Sequence, residues 1–355
     1  MLRVEFLIID RLPRVRSVIW VGQEIFLGQF KKSTFNPQHS KFIISQMTGT
    51  VIKSTGSWYL VRDAATQQLH RCRLRGRFKI KGLKVSNPLA VGDVVTFESE
   101  TSPAEGAAVI TAIAPRRNYI VRQSVHKTAH ANIVGANLDQ ALLVVTLVSP
   151  ATSFGFIDRF LVTAEAYHIP VWLIFNKADL YDADTLAYQT EIAGMYASLG
   201  YHGVRCAAAT GDGVADVAAL LAGKTSLLSG HSGVGKSTLI NALVPDLDLK
   251  TAEISQFSDK GVHTTTFAEM LEIVPGTYLI DTPGIKELGL VDIKPAELAG
   301  YFPEMRALLN QCRYHNCQHT HEPGCAVREA VDAGRIALPR YDSYLSMLAG
   351  EDNRK

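Results

Sequence analysis

The sequence predicts three domains: a small all-β barrel, a larger α/β domain on a parallel sheet, and a small, mostly helical domain. Short runs of alternating apolar and polar residues fill residues 47–115. Continuous apolar runs alternate with helical segments in residues 116–290, and residues 291–355 replace them with a cysteine and histidine cluster. Residues 1–46 show no sustained period, and we assign them as an extension without a function.

Composition excludes several classes of protein. The 36 Lys and Arg residues against 34 Asp and Glu give a net charge of +2, which excludes a polybasic chain. A hydrophobic share of 47% and a charged share of 20% exclude an intrinsically disordered protein. The longest apolar run, residues 141–148, is far shorter than the roughly 20 residues of a membrane helix. With no signal peptide pattern at the N-terminus, we expect a cytoplasmic protein that does not bind membranes.

Five short strands predicted between residues 47 and 115 indicate a closed barrel of the oligonucleotide-binding (OB) fold. The third predicted strand has a cation at every second position. These cations are Arg71, Arg73, Arg75, Arg77, Lys79 and Lys81. Residues i and i+2 share one face of a strand, so the pattern predicts contact with a nucleic-acid backbone. The alternative is a solvated face that keeps the barrel soluble.

A complete phosphate-binding motif, G-x-x-x-x-G-K-S, follows an apolar strand and opens a helical run. With the first helical residue it comprises Gly230, His231, Ser232, Gly233, Val234, Gly235, Lys236, Ser237 and Thr238. Small residues let backbone N–H groups surround phosphate oxygens, and a helix N-terminus adds its dipole. We expect Lys236 to reach the β- and γ-phosphates and Ser237 to bind Mg²⁺.

Two further motifs end apolar strands. In D-T-P-G, Asp281 is placed to hold Mg²⁺, and the N–H of Gly284 to face the γ-phosphate. The N-K-A-D motif consists of Asn176, Lys177, Ala178 and Asp179. The carboxylate of Asp179 can accept two hydrogen bonds from guanine, whereas adenine has no such donor pair.

The motifs occur in an unusual order, because the guanine motif precedes the phosphate motif. All of them follow strands of one predicted sheet, so moving the chain termini would keep their spatial arrangement. The sequence therefore predicts a circularly permuted P-loop GTPase domain with GTP or GDP and Mg²⁺ as ligands.

Three cysteines and several histidines cluster between residues 312 and 325. Three thiolates and one imidazole complete a tetrahedral Zn²⁺ site and leave no place for water, so we expect one structural Zn²⁺. Cys312, Cys317 and Cys325 are the candidate sulfur ligands, and His315, His319 and His321 compete for the fourth position. Cys72 and Cys206 lie in apolar runs and are predicted core residues.

With these motifs in this order, the chain from residue 47 to the C-terminus resembles the ribosome small-subunit-dependent GTPase A family. The resemblance implies slow GTP hydrolysis, stimulated by the small ribosomal subunit during its late maturation, and binding to ribosomal RNA. It also implies His319 as the zinc ligand. We expect the protein to be a monomer.

The resemblance also identifies the first switch segment as residues 261–266. It implies that Thr264 or Thr265 meets Mg²⁺ and the γ-phosphate and that His263 is the candidate group for positioning the attacking water. Lys236 and Mg²⁺ would neutralise charge during hydrolysis. A loop histidine without a catalytic part is the alternative for His263. Val262 and Ala207 replace the Arg and Ser usual in the family, and Ile285 stands where many GTPases place a water-orienting Gln.

Two other functions are compatible with these features. One is a nucleotide-gated RNA-binding assembly module with negligible hydrolysis, which Ile285 and Ala207 favour. The other is a regulator of translation or transport without a ribosomal partner, against which the row of cations on one strand speaks.

Overall fold

The computed structural model describes residues 46–75, 87–99, 107–123, 131–244, 269–281 and 293–351, with the backbone of residues 20–21 and 24–25. The chain forms two compact units, residues 1–44 and 45–355. In the first unit β1 (Trp20–Val21) pairs antiparallel with β2 (Glu24–Ile25). All other elements belong to the second unit.

A closed five-stranded barrel opens the second unit, as predicted. Its strands are β3 (Gln46–Ser54), β4 (Tyr59–Asp63), β5 (Leu69–Leu74), β6 (Val94–Ser99) and β7 (Ala108–Ile113). They pair in the order β3-β4-β5-β7-β6, and β6 returns to β3. Alternate residues such as Val61 and Phe97 fill the barrel. Cys72 lies in this core as expected, and burial raises its pKa to about 12.

The described part of the predicted cationic strand agrees with the alternation. Arg71, Arg73 and Arg75 are exposed and Cys72 between them is buried. The guanidinium of Arg71 lies 4.0 Å from the centroid of the Trp58 ring. Arg77, Lys79 and Lys81 lie outside the described residues.

The central domain is an α/β sheet preceded by a hairpin of β8 (Tyr119–Gln123) and β9 (Ala131–Ala136). The sheet strands are β10 (Gln140–Val145), β11 (Val171–Phe175), β12 (Gly203–Arg205), β13 (Thr225–Gly230), β14 (Glu269–Val274) and β15 (Thr277–Asp281). They follow the order β12-β11-β10-β13-β15-β14, with β14 antiparallel and the others parallel.

Helices pack on both faces of this sheet. They are α1 (Phe154–Ala166), α2 (Ala183–Ser198), α3 (Val214–Leu221) and α4 (Lys236–Leu243). Every residue of β10 is buried, and alternate side chains enter two different cores. Leu143 packs with Phe160 in one core, and Leu142 packs with Leu239 in the other. A strand covered on both faces explains the continuous apolar run in the sequence.

The barrel and the central sheet are continuous. β14 pairs with β3 at Glu269 and Lys53, which joins the strands of both domains into one sheet of eleven. The domain boundaries expected near residues 115 and 290 remain predictions.

The C-terminal domain is mostly helical. It contains a 3₁₀ helix (Pro295–Tyr301), α5 (Pro303–Arg306), α6 (Ala326–Asp332) and α7 (Leu338–Leu348). Residues 296–311 are helix-compatible in sequence, but the structure divides this stretch between the 3₁₀ helix and α5. Phe302 is extended, with φ −104° and ψ 109°, because Pro303 excludes the helical conformation from the residue before it.

A buried charge network joins this domain to α1. Arg340 of α7 is 1% exposed, and its Nη1 donates to Oδ1 of Asp158 at 2.6 Å. Its Nε donates to Oε1 of Glu304 at 2.8 Å, and its guanidinium lies 4.7 Å from the Phe302 ring centroid. Burial raises the pKa of Asp158, and the charge of Arg340 opposes that shift. The attachment therefore depends on a cation between two buried carboxylates.

Among the described residues, none of the helices has the length and the apolar character needed to span a lipid bilayer.

Removing the buried cation should destabilise the protein. We expect Arg340→Met to lower the free energy of unfolding by about 3–5 kcal/mol, because two carboxylates would stay buried without their partner. Arg335→Met is the matched control, since Arg335 is exposed, and we expect a change within about 0.5 kcal/mol. Urea unfolding measures both, and equal effects of the two substitutions would contradict a structural role for Arg340.

Candidate functional site

The predicted nucleotide-binding loops meet at one edge of the central sheet. β10, β11, β12, β13 and β15 are parallel neighbours, so their carboxyl ends lie side by side. The guanine motif follows β11, the phosphate loop (residues 230–237) follows β13, and Asp281 is the last residue of β15. Their order along the chain does not matter for this arrangement.

The phosphate loop has the backbone of an anion cradle. Gly233 and Gly235 have φ values of 85° and 91°, which glycine adopts without strain. A Cβ atom on Gly235 would lie 2.5 Å from Nδ2 of Asn176. The loop therefore needs glycine at this position both for its conformation and for the close approach of the guanine motif.

Lys236 begins α4, and its ammonium group lies inside the phosphate loop. Its Nζ donates to the carbonyls of Gly230 and His231 at 2.6 and 2.7 Å. Burial lowers the pKa of Lys236, while the nearby carboxylate of Asp281 opposes this shift. A buried cation held by weak carbonyl acceptors is suited to exchange them for phosphate oxygens.

The side chain of Asn176 joins three loops. Its Nδ2 donates to the carbonyl of Val234 in the phosphate loop at 2.8 Å. Its Oδ1 accepts from the backbone N–H of Ala208, after β12, at 3.0 Å. Asn176 is 1% exposed, so both amide atoms are satisfied within the protein. The guanine motif, the phosphate loop and the loop after β12 thus form one structure.

Asp179 lies beside this junction with an exposed side chain. It belongs to a 3₁₀ turn (Ala178–Leu180) that begins after Lys177, whose φ is 63°. The N–H of Ala178 donates to the carbonyl of Cys206 at 3.1 Å, which fixes the turn against the loop after β12. The carboxylate is thereby held on a fixed backbone and is open to a ligand.

Tyr181 and the loop after β10 also contribute to this site, although neither is predicted from the motifs. The hydroxyl of Tyr181 donates to the carbonyl of Asn176 and accepts from the N–H of Leu147, both at 2.8 Å. Nζ of Lys177 donates to the carbonyl of Ser149. The loop after β10 is therefore part of the site, and its place after a parallel strand was the signal that could have found it.

The other motif residues line the loop in different environments. The His231 ring stacks on Phe156 of α1, with 3.6 Å between the ring centroids. Val234 is buried in the core, Ser237 is half-buried, and Ser232, Gly233 and Thr238 are exposed. Asp281 pairs with Leu228 of β13, the strand that leads through the phosphate loop to Ser237 in the first turn of α4.

Several predicted site residues lie outside the described residues. They are Val262, His263, Thr264, Thr265, Gly284 and Ile285. Ala207, which stands where the family usually has Ser, is 2% exposed. Its N–H donates to the carbonyl of Asp212 at 2.8 Å.

The second candidate site is a cluster of Cys312, Cys317, His319 and Cys325. Their ligand atoms all lie within 4.8 Å of one another. Nδ1 of His319 lies 3.5 Å from Sγ of Cys312 and 3.4 Å from Sγ of Cys325, and these two sulfurs are 4.0 Å apart. A tetrahedral zinc ion with Zn–S bonds of about 2.3 Å holds its sulfurs roughly 3.8 Å apart, so the residues fit Zn²⁺.

The surroundings select His319 among the three candidate histidines. His319 is 3% exposed, whereas His315 and His321 are exposed, and neither belongs to the cluster. Burial lowers the pKa of His319, which favours the neutral imidazole that binds metals. Burial also raises the pKa of Cys317 to about 12, so a cation is needed to hold its thiolate.

The arrangement of strands and loops defines the central domain as a circularly permuted P-loop GTPase. The family model described as RsgA GTPase matches residues 113–291, and the model described as RsgA N-terminal domain matches residues 48–107. The chain belongs to the RsgA GTPase family.

Curated relatives extend the match to most of the chain. A protein from Bacteroides fragilis, named small ribosomal subunit biogenesis GTPase RsgA, is 50% identical over 309 residues, which are 87% of this chain and 98% of that protein. A protein of the same name from Flavobacterium johnsoniae is 49% identical over 307 residues, 86% of this chain and 94% of that protein.

Solved structures agree in fold. The crystal structure of YjeQ from Thermotoga maritima has a TM-score of 0.68 at 36% identity and covers 88% of this chain and 100% of that chain. The crystal structure of YloQ, described as a circularly permuted GTPase, has a TM-score of 0.65 at 30% identity and covers 88% and 96%.

Metal content should distinguish the four cluster residues from their neighbours. We expect the purified wild-type chain to contain one Zn²⁺, and Cys312→Ser and His319→Ala each to lose at least half of it. Mass spectrometry of the metal measures the content. His315→Ala, His321→Ala and Cys206→Ser are the controls and should keep one Zn²⁺, so loss of zinc from His321→Ala would contradict the assignment.

Proposed function

We propose that this chain is a GTPase that acts in the late maturation of the small ribosomal subunit, binds ribosomal RNA and hydrolyses GTP faster on the subunit. The observation that carries the proposal is the hydrogen bonding of Asn176, which brings a guanine-specific loop onto a phosphate-binding loop. The names of its relatives support the ribosomal part of the proposal.

Guanine nucleotide recognition is divided between the two loops. Asp179 would accept hydrogen bonds from the ring N–H and exocyclic amine of guanine. The backbone N–H groups of the phosphate loop and the N-terminus of α4 would hold the phosphates, with Lys236 neutralising their charge. Asn176 keeps the two loops at a fixed separation through its hydrogen bond to the carbonyl of Val234.

Ser237 and Asp281 are the residues proposed to hold Mg²⁺. A hydroxyl and a carboxylate are oxygen ligands of the kind that Mg²⁺ prefers, and the cation would balance charge that develops on the transferred phosphoryl group. Both residues are half-buried, Asp281 at the end of β15 and Ser237 in the first turn of α4 after the neighbouring strand β13, which supports this assignment.

For hydrolysis, the resemblance suggests Thr265 beside the γ-phosphate, Gly284 as a sensor of that phosphate, and His263 as the group that positions water. Ile285 has no polar atom in its side chain to do this. We therefore expect the free protein to hydrolyse GTP slowly. We expect the small subunit to order the switch segment of residues 261–266 and so to speed hydrolysis.

The outer domains would provide contact with RNA. The exposed Arg71, Arg73 and Arg75 of the barrel support backbone contacts, and the zinc cluster would stiffen a domain with a small apolar core. We propose that Zn²⁺ is structural, because three thiolates and one imidazole leave no ligand position for substrate. The protein would act as a cytoplasmic monomer.

The second candidate function is a nucleotide-gated RNA-binding module with negligible hydrolysis, which Ile285 favours. Phosphate release separates the two candidates. We expect turnover at saturating GTP to rise at least tenfold when purified small subunits are added, with large subunits as the control. Equal turnover with and without small subunits, at a rate near the uncatalysed one, would favour the module.

The guanine assignment has its own test. We expect Asp179→Asn to weaken GTP binding about ten- to hundredfold and to improve binding of xanthosine triphosphate, because the amide no longer matches the donors of guanine but can donate to xanthine. Asp182→Asn is the matched control. Asp182 caps α2 by accepting from the N–H of Thr185 at 2.8 Å, and asparagine caps equally well. Calorimetry measures both, and an unchanged preference in Asp179→Asn would exclude its contact with the base.

A further inference from the structure

The barrel and the central sheet are joined by a strand pairing next to the nucleotide-binding edge. In the part of the chain that the structure describes, β14 pairs with the barrel strand β3 at one position, Glu269 with Lys53. Glu269 is the first residue of β14 and stands three positions after Thr266, the end of the proposed switch segment. The barrel therefore attaches where the chain leaves that segment.

Charged side chains of the barrel hold both strands of the β14–β15 hairpin. Nζ of Lys53 lies 2.9 Å from Oε2 of Glu269. Arg62 of β4 forms an ion pair with Glu272, and its Nη1 lies 3.3 Å from the hydroxyl of Tyr278 in β15. Tyr278 precedes Asp281 by three residues, so the barrel contacts the hairpin close to both proposed switch segments.

Between the barrel and the hairpin lies a cavity of about 300 Å³. Its lining includes Ile52 and Arg62 from the barrel, Met270 and Tyr278 from the hairpin, and Thr225 from the start of β13. The cavity lies beside an apolar contact, because Ile52 of the barrel belongs to the same buried cluster as Met270 and Ile280 of the hairpin. Ion pairs and apolar packing therefore together set the position of the hairpin against the barrel.

We propose that Lys53 and Arg62 are positioning residues for GTP hydrolysis. When the barrel docks on RNA, these two residues transmit its displacement to the segments at the two ends of the β14–β15 hairpin. This inference rests on the proposed function. Hydrogen-bonded strands move together, so a displacement of β3 and β4 acts on β14 and β15 through these two cations. The hairpin carries the displacement to Asp281 and to the segment before Glu269.

The Lys53–Glu269 pair is the better one to test. Its side chains are 35% and 39% exposed, and surface ion pairs of this kind contribute little to stability. Reversing one charge should therefore leave folding intact while it disrupts the contact. Reversing both charges should restore it, which separates an effect of the pair from an effect of either residue alone.

The experiment measures GTP turnover of the full chain at saturating GTP, without and with saturating small subunits. We expect Lys53→Glu and Glu269→Lys each to lower the stimulated turnover at least fivefold and to leave turnover without subunits within twofold of wild type. The double variant, with both charges reversed, should recover at least half of the stimulation.

A second partly exposed ion pair, which does not involve the barrel, is the control. Nη1 of Arg306 lies 2.8 Å from Oε2 of Glu165, and this pair joins the C-terminal domain to α1. We expect Arg306→Glu and Glu165→Arg to leave the stimulated turnover within twofold of wild type. Co-sedimentation with small subunits in a non-hydrolysable GTP analogue should show equal binding for all variants.

Three outcomes would overturn the inference. Weaker co-sedimentation of Lys53→Glu with normal turnover at saturation would mean that Lys53 acts in docking alone. Full stimulation of both single variants, with a stimulated wild type, would overturn the inference and leave the proposed function intact. A wild-type chain that small subunits do not stimulate would overturn both.

Discussion

The nucleotide-binding edge depends on one buried amide. Asn176 satisfies its donor on the phosphate loop and its acceptor on the loop after β12, at 1% exposure. Loss of either partner would leave a buried amide group without a hydrogen bond, which is destabilising. The three loops therefore hold one another in place. This mutual constraint is what permits the motifs to stand in a permuted order, because the contact is between strand ends and not between chain neighbours.

The two outer domains are attached by different physical means. The C-terminal domain is fixed by a buried cation, Arg340, between carboxylates, which gives a well-defined and costly geometry. The barrel is attached by a backbone pair, partly exposed ion pairs and the packing of Ile52 with Met270 and Ile280. The C-terminal attachment therefore depends on buried charge, and the barrel attachment depends on strand pairing and apolar contact.

Much of the fold and of the site could be predicted from the sequence, because the signals were local. The apolar run of β10, the glycines around Lys236 and the alternation around Cys72 each depend on a few adjacent residues. The helix break at Phe302 also has a local cause, because Pro303 follows it. The helical composition of residues 296–311 nevertheless indicated no break there.

Contacts between distant parts of the chain could not be predicted. From the residues alone His315, His319 and His321 remained alternatives, and only the resemblance implied His319, because the choice depends on how the metal-binding loop folds. Tyr181 contributes through its hydroxyl to carbonyl and amide groups of separate loops. Arg340 resembles any other arginine in the sequence, because its burial is decided by carboxylates 36 and 182 positions away. Such pairings follow from tertiary packing alone.

The central position of β13 between β10 and β15 affects how the chain folds during translation. A nascent chain that has emerged as far as Phe175 holds β10 and β11, but β13 begins only fifty residues later, at Thr225. One edge of β10 stays unpaired until β13, the strand that leads into the phosphate loop, has been translated. Permutation thus delays the core to a late stage of translation, and a chain released early could not form the parallel sheet around its middle strand.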